Sequence, residues 1–425
     1  MKHLRAGSGA ASRRIEIPPV VAVLALIAIV YGWALLATTQ AYPGRIGINI
    51  NALGTDWMVF YGGARRFFDG TLAGLFDGDR FTDYLNASFA GWLSEPMPYR
   101  PWVYPPSYLL PMLPFGLLGF AWSYAVFQLA TAALLGAALW VGADRPNARG
   151  FVIAASLLGP AAAINAAVGQ NAFLTAALLV GGFRLLRNRP ALAGVVLGLL
   201  TVKPQFWLMI PVALAAARAW EALAWSVLAG AALAAASLVV FGVECWQQWV
   251  DLALNSYGDP AAKWVEFGRI AGDSVYACIV NAGLPEGLAN AAQDMAVVIG
   301  AGLVYRAFRL PLPQDLRIAV VLACTILAAP HSSIHETVLL ATAAALWIAE
   351  MAQRRLPLSG WAVPLALWLT PFVNPPQIRA VGRLTPLLLL VFVGMIVAGK
   401  RRAKLVAPDP MPALPDVAIA AALAE

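Results

Sequence analysis

The sequence predicts an all-α protein that crosses a lipid bilayer many times, and three observations support this. Of the 425 residues, 60% are hydrophobic and 12% are charged, whereas soluble proteins carry about 25% charged residues. Most of the chain divides into apolar runs close to the roughly 20 residues that a spanning helix needs. The basic residues fall in short clusters between these runs, which is typical of cytoplasmic loops.

The first predicted span covers residues 17–39 and follows a basic segment, 1–16, that we place in the cytoplasm. The run is too long for the core of a signal peptide, so we interpret it as an uncleaved helix. Residues 41–103 then form a long first external loop. Within this loop, section 54–70 has apolar residues at roughly helical spacing, which predicts a helix lying along the membrane surface.

The middle of the chain contains two irregular regions. Four prolines fall within 103–118, so this segment is predicted not to cross the bilayer fully by itself. Segments 190–202 and 204–217 are also too short to cross a bilayer of about 30 Å. They would end in a cavity with Lys203 at depth, where a cation needs an anionic partner. In the first of them, Gly194 and Gly198 permit close helix packing.

The positive-inside rule sets the topology, because arginine and lysine clusters follow most of the spans. The alternation gives about twelve spans in one membrane domain, 17–398, with both termini inside. A second external loop covers 243–275, and the Pro- and Ala-rich tail, 399–425, is predicted to be cytoplasmic. No nucleic-acid-binding motif is visible, and the three cysteines form no CxxC pair. We therefore expect neither a nucleic acid partner nor a metal or other cofactor.

The external ends of the predicted spans bring several polar side chains to one face of the membrane. The predicted constellation consists of Asp56, Tyr104, Gln170, Asn171, Lys203, His331 and His335. Arg65, further along the helix that Asp56 begins, is a candidate pocket residue or a surface anchor. The two histidines are four residues apart, so on a helix starting near Pro330 they would share a face.

These residue types suit the transfer of a phosphate-linked group to a hydroxyl. Lys203, both histidines and a helix N-terminus make a seat for a phosphate. Asp56 remains as a base that can take a proton from the acceptor. Each assignment has a simpler alternative: Asp56 as a helix cap, Lys203 as a lysine reaching the interface, and Gln170 and Asn171 as a turn between spans. Tyr104 is equally consistent with an interfacial aromatic.

The order of several motifs resembles glycosyltransferase family 87. They are DWMVFYGGARRFFDG, YPPSYLLPMLPFGLL, GPAAAINAAVGQNAFLTAALL, RNRPALAGVVLGLLTVKPQFWLMIPV and APHSSIHE. The resemblance covers roughly residues 50–345, and the GQN motif followed by the lysine motif is its strongest part. It implies a GT-C fold and a polyprenol-phosphate-mannose-dependent mannosyltransferase with an inverting mechanism. The family's catalytic carboxylate falls on Asp56, and its donor-phosphate histidine on His331, with His335 as the alternative.

The resulting hypothesis is a multi-pass enzyme of a bacterial-type plasma membrane with its active site on the external, periplasmic side. It moves a hexose, with mannose as the first candidate, from a polyprenyl-phosphate donor to a lipid or glycan acceptor. Membrane lipids surround it. The alternatives are a transporter or flippase of a lipid-linked saccharide, and a structural membrane protein. Clustering of ionisable residues at one face, without an evident repeat, favours the enzyme over a transporter.

Overall fold

The computed structural model describes residues 15–41, 53–93, 95–256, 272–351, 357–373 and 384–398, and these residues are helical without any strand. An isolated antiparallel bridge joins Gly272 to Ser333. The all-α prediction is therefore confirmed for this part of the chain. Most of the predicted cytoplasmic N-terminus, the cytoplasmic tail and parts of both external loops lie outside the described residues, and the domain boundaries stay predictions.

The helices follow the apolar runs of the sequence. In the first half of the chain they are α1 (Pro19–Ala41), α2 (Thr55–Phe68), α3 (Gly78–Ser88), α4 (Pro106–Gly116), α5 (Phe120–Trp140), α6 (Arg149–Leu158), α7 (Pro160–Val168), α8 (Ala172–Leu185), α9 (Pro190–Gly198), α10 (Pro204–Trp207) and α11 (Met209–Ala216). In the second half they are α12 (Trp220–Asp251), α13 (Val275–Asn281), α14 (Glu286–Arg309), α15 (Gln314–Ala328), α16 (Val338–Met351), α17 (Leu358–Trp368), α18 (Thr370–Val373) and α19 (Thr385–Ala398).

Four helical segments of the described chain are long and apolar enough to cross a membrane. They are Phe120–Trp140, Trp220–Leu254, Glu286–Arg309 and Ile334–Met351. A fifth span results if Pro146–Leu158 and Pro160–Val168, which are bent by 47°, count as one. Several shorter apolar helices accompany them. The chain is thus built as a membrane protein, while the total of about twelve spans stays a prediction.

The two irregular regions are short helices, as expected. Helix α4 has 11 residues and continues through Pro111 and Pro114, so it is about 16 Å long and cannot cross a bilayer. Segment 190–202 is α9 extended by a short 3₁₀ turn, and Lys203 stands at the break before α10. A Cβ atom at Gly194 would lie 2.3 Å from the carbonyl oxygen of Ala222 in α12, which confirms the predicted close packing.

The first loop folds into an aromatic cluster beside the main helical core. Helix α2 buries most of its residues, and the ring of Trp57 stacks on Phe127 of α5 with centroids 4.6 Å apart. The indole of Trp57 also donates a hydrogen bond to Ser123 Oγ at 2.9 Å. Helix α2 therefore packs inside this cluster, and its predicted place at a membrane surface remains untested.

Gly169 joins this cluster to the end of α7. Its φ is +76°, and a Cβ atom there would lie 2.5 Å from Cβ of Trp57. Gly169→Ala should lower stability by about 2–4 kcal/mol, because it adds a clash to a left-handed backbone. Thermal unfolding in detergent measures this cost.

The matched control for this prediction is Gly283→Ala. Gly283 has a φ of +78° and nothing within 4 Å of an added Cβ, so it carries the backbone strain alone, about 1–2 kcal/mol. Equal losses in unfolding temperature for the two variants would refute the role assigned to the contact with Trp57.

Candidate active site

Asp56 lies in the first turn of α2 and points its carboxylate at the chain segment between α7 and α8. The preceding residue Gly54 takes the N-cap position with a left-handed φ of 74°. One carboxylate oxygen, Oδ2, accepts a hydrogen bond from Nε2 of Gln170 at 3.0 Å. The interpretation of Asp56 as a helix cap is therefore wrong, because glycine occupies the cap and the carboxylate is bonded elsewhere.

Two basic side chains also face this carboxylate. Arg100 Nη1 lies 3.7 Å from Asp56 Oδ1, and His335 Nδ1 lies 3.7 Å from Asp56 Oδ2. The side chains of Asp56 and Arg100 are 15% and 11% exposed, respectively. The carboxylate is thus held between the Arg100 guanidinium and the His335 imidazole, while 15% of the Asp56 side chain remains exposed.

Lys203 has the anionic partner that its depth requires. Its Nζ donates to Oε1 of Glu336 at 2.8 Å, and the lysine side chain is 2% exposed. The ammonium group also lies 5.8 Å from the ring centroid of Tyr104 and 5.0 Å from that of Phe206. A lysine extending to an interface would be solvated, so that alternative is wrong for Lys203.

The amide groups after α7 connect these charges to the aromatic cluster. Gln170 Oε1 accepts from the Tyr104 hydroxyl at 3.2 Å and from the backbone N–H of Asn171 at 2.9 Å. Asn171 Nδ2 in turn donates to the hydroxyl of Tyr108 at 2.8 Å. Burial, with Tyr108, Glu336 and Asp56 nearby, raises the pKa of Tyr104 well above its usual value. Its hydroxyl therefore stays protonated and donates to Gln170.

His331 and His335 do not lie on one face of a helix, contrary to the sequence-based expectation. The helical segment begins with a 3₁₀ turn at Ile334, because Ser333 and Glu336 form a capping box there. His331 therefore precedes the helix, while His335 lies in its first turn. Burial lowers the pKa of His331 to about 4, so its imidazole is neutral at pH 7 and can offer one N–H group.

The structure does not bring Arg65 to the cluster of ionisable side chains around Asp56 and Lys203. It lies nine residues after Asp56 on the same helix, about 13 Å further along the axis. Its guanidinium pairs with Asp69 at 2.8 Å, where both side chains are more than a third exposed. A direct pocket role for Arg65 therefore has no geometric support, and the anchoring role suits its position better.

Sequence reasoning overlooked two charged residues of the cluster, Arg100 and Glu336. Arg100 is fixed by its backbone N–H, which donates to Thr82 Oγ1 of α3 at 2.9 Å. Nothing local in the sequence separates Arg100 from the other charges of the first loop. Glu336 was identifiable, because Ser333 followed three residues later by a glutamate is the sequence pattern of a capping box.

The other ends of α8 and α16 hold a second ionic network. Arg184 Nη2 lies 2.7 Å from Asp315 Oδ1, and Arg145 Nη2 lies 3.0 Å from Glu350 Oε2. Carboxylate oxygens of Asp144, Asp315 and Glu350 lie within 4.8 Å of one another. Guanidinium groups pair with Asp315 and Glu350, and the third carboxylate, Asp144, accepts a hydrogen bond from the backbone N–H of Asp315 at 2.7 Å. These contacts explain the acidic trio without a metal.

The fold and this cluster together define a class: an all-α membrane protein with a partly open ionisable site at one end of its helices. A family model, glycosyltransferase family 87, matches residues 102–330, which is more than half of the chain. The chain belongs to glycosyltransferase family 87, and the resemblance seen in the sequence is confirmed. Searches of curated proteins and of solved structures found no match.

The matched range contains some of the predicted site residues and excludes others. Tyr104, Gln170, Asn171 and Lys203 lie inside residues 102–330, whereas Asp56 and both histidines lie outside. The match is therefore narrower than the region of resemblance expected from the motifs. The individual roles of the site residues stay predictions that depend on the geometry.

The buried pair of Lys203 and Glu336 leads to a stability prediction. Lys203→Met and Glu336→Gln should each cost about 3–5 kcal/mol, because each leaves one buried charge without its partner. The double variant should be more stable than either single variant. Thermal unfolding of the four proteins in detergent gives the double-mutant cycle.

The exposed pair of Arg65 and Asp69 is the matched control, since its charges are also 2.8 Å apart. Exposed pairs contribute roughly 0–1 kcal/mol, so Arg65→Met and Asp69→Asn should change stability little. A double variant at Lys203 and Glu336 that loses the sum of both single losses would show that the two charges are not coupled.

Proposed function

We propose that this glycosyltransferase moves a hexose, with mannose as the first candidate, from a polyprenyl-phosphate donor to a lipid or glycan acceptor. The observation that carries the proposal is the Asp56 carboxylate, held by Gln170, Arg100 and His335 at a partly open position. A group that must take a proton from a substrate needs this combination of fixed orientation and access.

In the proposed reaction the acceptor hydroxyl attacks the anomeric carbon from the side opposite the phosphate. The new bond joins the hydroxyl oxygen to the anomeric carbon, and the bond from that carbon to the phosphate oxygen breaks. The hydroxyl proton goes to Asp56, and the polyprenyl phosphate leaves with the bonding electrons. Configuration at the anomeric carbon is inverted. General-base assistance contributes roughly 10²–10⁴-fold to such a step.

We assign the phosphate to the side of the cluster that holds Lys203 and His335. We add His331 because it precedes the same helical segment by three residues and is a neutral N–H donor. A leaving phosphate gains negative charge, and cations or N–H donors already in place stabilise it most effectively. Lys203 supports this assignment by its burial and by the neighbouring rings, which exclude water. Glu336 holds the ammonium in position before the donor arrives. Tyr104, Gln170 and Asn171 would line the pocket.

The proposed architecture is the GT-C fold with about twelve spans in a bacterial-type plasma membrane. A lipid-linked donor suits this setting, because its polyprenyl tail can remain among the membrane lipids. The active site is proposed to face the external, periplasmic side. The alternative function, flipping a lipid-linked saccharide, finds less support, because the family match favours transfer chemistry over transport.

The direct test incubates purified protein with a panel of polyprenyl-phosphate sugars and extracted membrane lipids, followed by mass spectrometry. The wild type should release polyprenyl phosphate and form a glycosylated product. Asp56→Asn should fold normally and lose activity by about 10²–10⁴-fold, because an amide cannot take the proton. Product formation by Asp56→Asn at the wild-type rate would show that Asp56 is not the base.

The control for this variant is Asp69→Asn, at the other end of α2. Asp69 is exposed and pairs with Arg65, so its amide variant should keep the wild-type rate. Equal losses in both variants would indicate a general effect on α2 and would exclude the specific role of Asp56.

A further prediction separates the donor side from the acceptor side. Lys203→Ala and His331→Ala should raise KM for the donor at least about tenfold, because each removes a contact to the phosphate. KM for the acceptor should change much less. Initial rates with either substrate varied, at equal concentrations of folded protein, measure both constants. Equal increases in KM for the donor and KM for the acceptor would show that these residues do not bind the donor phosphate.

A further inference from the structure

A chain of hydrogen-bonded amides runs from Asp56 into the helical core. Gln170 Nε2 donates to the Asp56 carboxylate at 3.0 Å, and Gln128 Nε2 donates to the backbone carbonyl of Gln170 at 2.9 Å. Asn165 Nδ2 then donates to Gln128 Oε1 at 3.1 Å, and Asn165 Oδ1 accepts from the backbone N–H of Ala172 at 3.0 Å. The chain links α2, α5, α7 and the start of α8.

The amides of this chain are shielded from solvent. Asn165 is 0% exposed, Gln128 8% and Gln170 6%. A polar group that loses its partner at such depth has no bulk water to replace it. Each amide is therefore constrained to keep the partners that the fold gives it.

The chain also has a defined direction. A carboxylate only accepts hydrogen bonds, so Gln170 must present its NH₂ group to Asp56. Its Oε1 is then the atom that accepts from Tyr104 and from the backbone of Asn171. Gln128 must likewise present NH₂ to the carbonyl of Gln170 and its oxygen to Asn165. Turning over either glutamine would place donor against donor or acceptor against acceptor.

We propose that Gln128 and Asn165 are positioning residues that hold Gln170, and through it the Asp56 carboxylate, in the orientation that receives the acceptor proton. This inference rests on the proposed role of Asp56 as the base. Neither residue touches the carboxylate, so each acts only through Gln170. The competing explanation is purely structural: Asn165 caps α8, and Gln128 fills space in the core.

Two nearly isosteric variants separate these explanations. Asn165→Asp keeps the oxygen that accepts from Ala172, so this contact survives, but in its ionised form it has no donor for Gln128. Gln128→Glu keeps the oxygen that accepts from Asn165 but in its ionised form has no donor for the Gln170 carbonyl. Positioning predicts that kcat falls about tenfold in each, as for the loss of one net hydrogen bond. KM for the donor should stay within about twofold.

The pH profile gives a readout that a structural role would not change. A weaker hydrogen bond to the ionised Asp56 disfavours the charged form of that carboxyl group. The acid limb of the kcat profile should therefore move to higher pH in both variants, and an uncharged variant is needed to separate this effect from the field of the added carboxylate. A simple packing defect would lower the amount of folded protein without moving this limb.

An uncharged variant and a neighbouring control complete the set. Gln128→Met removes both hydrogen bonds without adding a charge and should reproduce the lower kcat and the shifted limb. Thr131 lies one turn further along α5, and its hydroxyl donates to the backbone carbonyls of Phe127 at 2.8 Å and Gln128 at 3.3 Å, outside the chain of side-chain amides. Thr131→Val should therefore retain the wild-type kcat and pH profile.

The outcomes separate this inference from the proposed function. A wild-type kcat and acid limb in Gln128→Met would overturn the positioning role while leaving Asp56 as the base. Failure of the wild type with every polyprenyl-phosphate sugar would contradict the proposed function. A structure of Gln128→Met would then test the positioning role without an activity measurement. Positioning predicts that Gln170 Nε2 moves beyond about 3.5 Å from Asp56 Oδ2; an unchanged contact would overturn it.

Discussion

The buried ion pair between Lys203 and Glu336 is the constraint around which the site is arranged. The Lys203 side chain is 2% exposed, and an ammonium group at that depth is strongly destabilising without a counter-ion. The break between α9 and α10 places the lysine there. Glu336 meets this requirement and also accepts from the N–H of Ser333. The same carboxylate therefore fixes both the lysine and the start of the late helix. His335, the adjacent residue, is held opposite Asp56 as a consequence.

The cluster balances its formal charges by paired side chains. Asp56 and Glu336 supply two carboxylates, and Arg100 and Lys203 supply two permanent cations. Charges at such depth interact more strongly than in water, because the surroundings polarise less. The ion pairs thus hold their geometry before any substrate arrives. Preorganisation of this kind is what electrostatic catalysis requires, since the charged groups then need not reorient during the reaction.

The helices and the burial of Lys203 could be predicted from the sequence, but the ion pairs of the site could not. Apolar run lengths predicted α5, α8 and the two short segments around Lys203, because span length is a local property. Glu336 is 133 residues away from Lys203, and Arg100 is separated from Asp56 by α3. Such contacts depend on tertiary packing. Pro330 predicts a helix start close to itself, whereas the capping box of Ser333 and Glu336 places that start at Ile334.

Two helices connect the Asp56 cluster to the second ionic network, which contains Arg145 and Arg184. The direction of these helices bears on the orientation of the site. Helix α8 begins beside Gln170 and ends at Arg184, and segment Ile334–Met351 begins at the cluster and ends at Glu350. Glu336 and Glu350 are about 21 Å apart along this axis, which is a large part of the thickness of a bilayer. The positive-inside rule favours a cytoplasmic position for Arg145 and Arg184. Because the Asp56 cluster lies at the opposite ends of the same helices, this arrangement supports the proposed orientation of the site toward the non-cytoplasmic side, where the proposed donor would carry its sugar on a lipid phosphate.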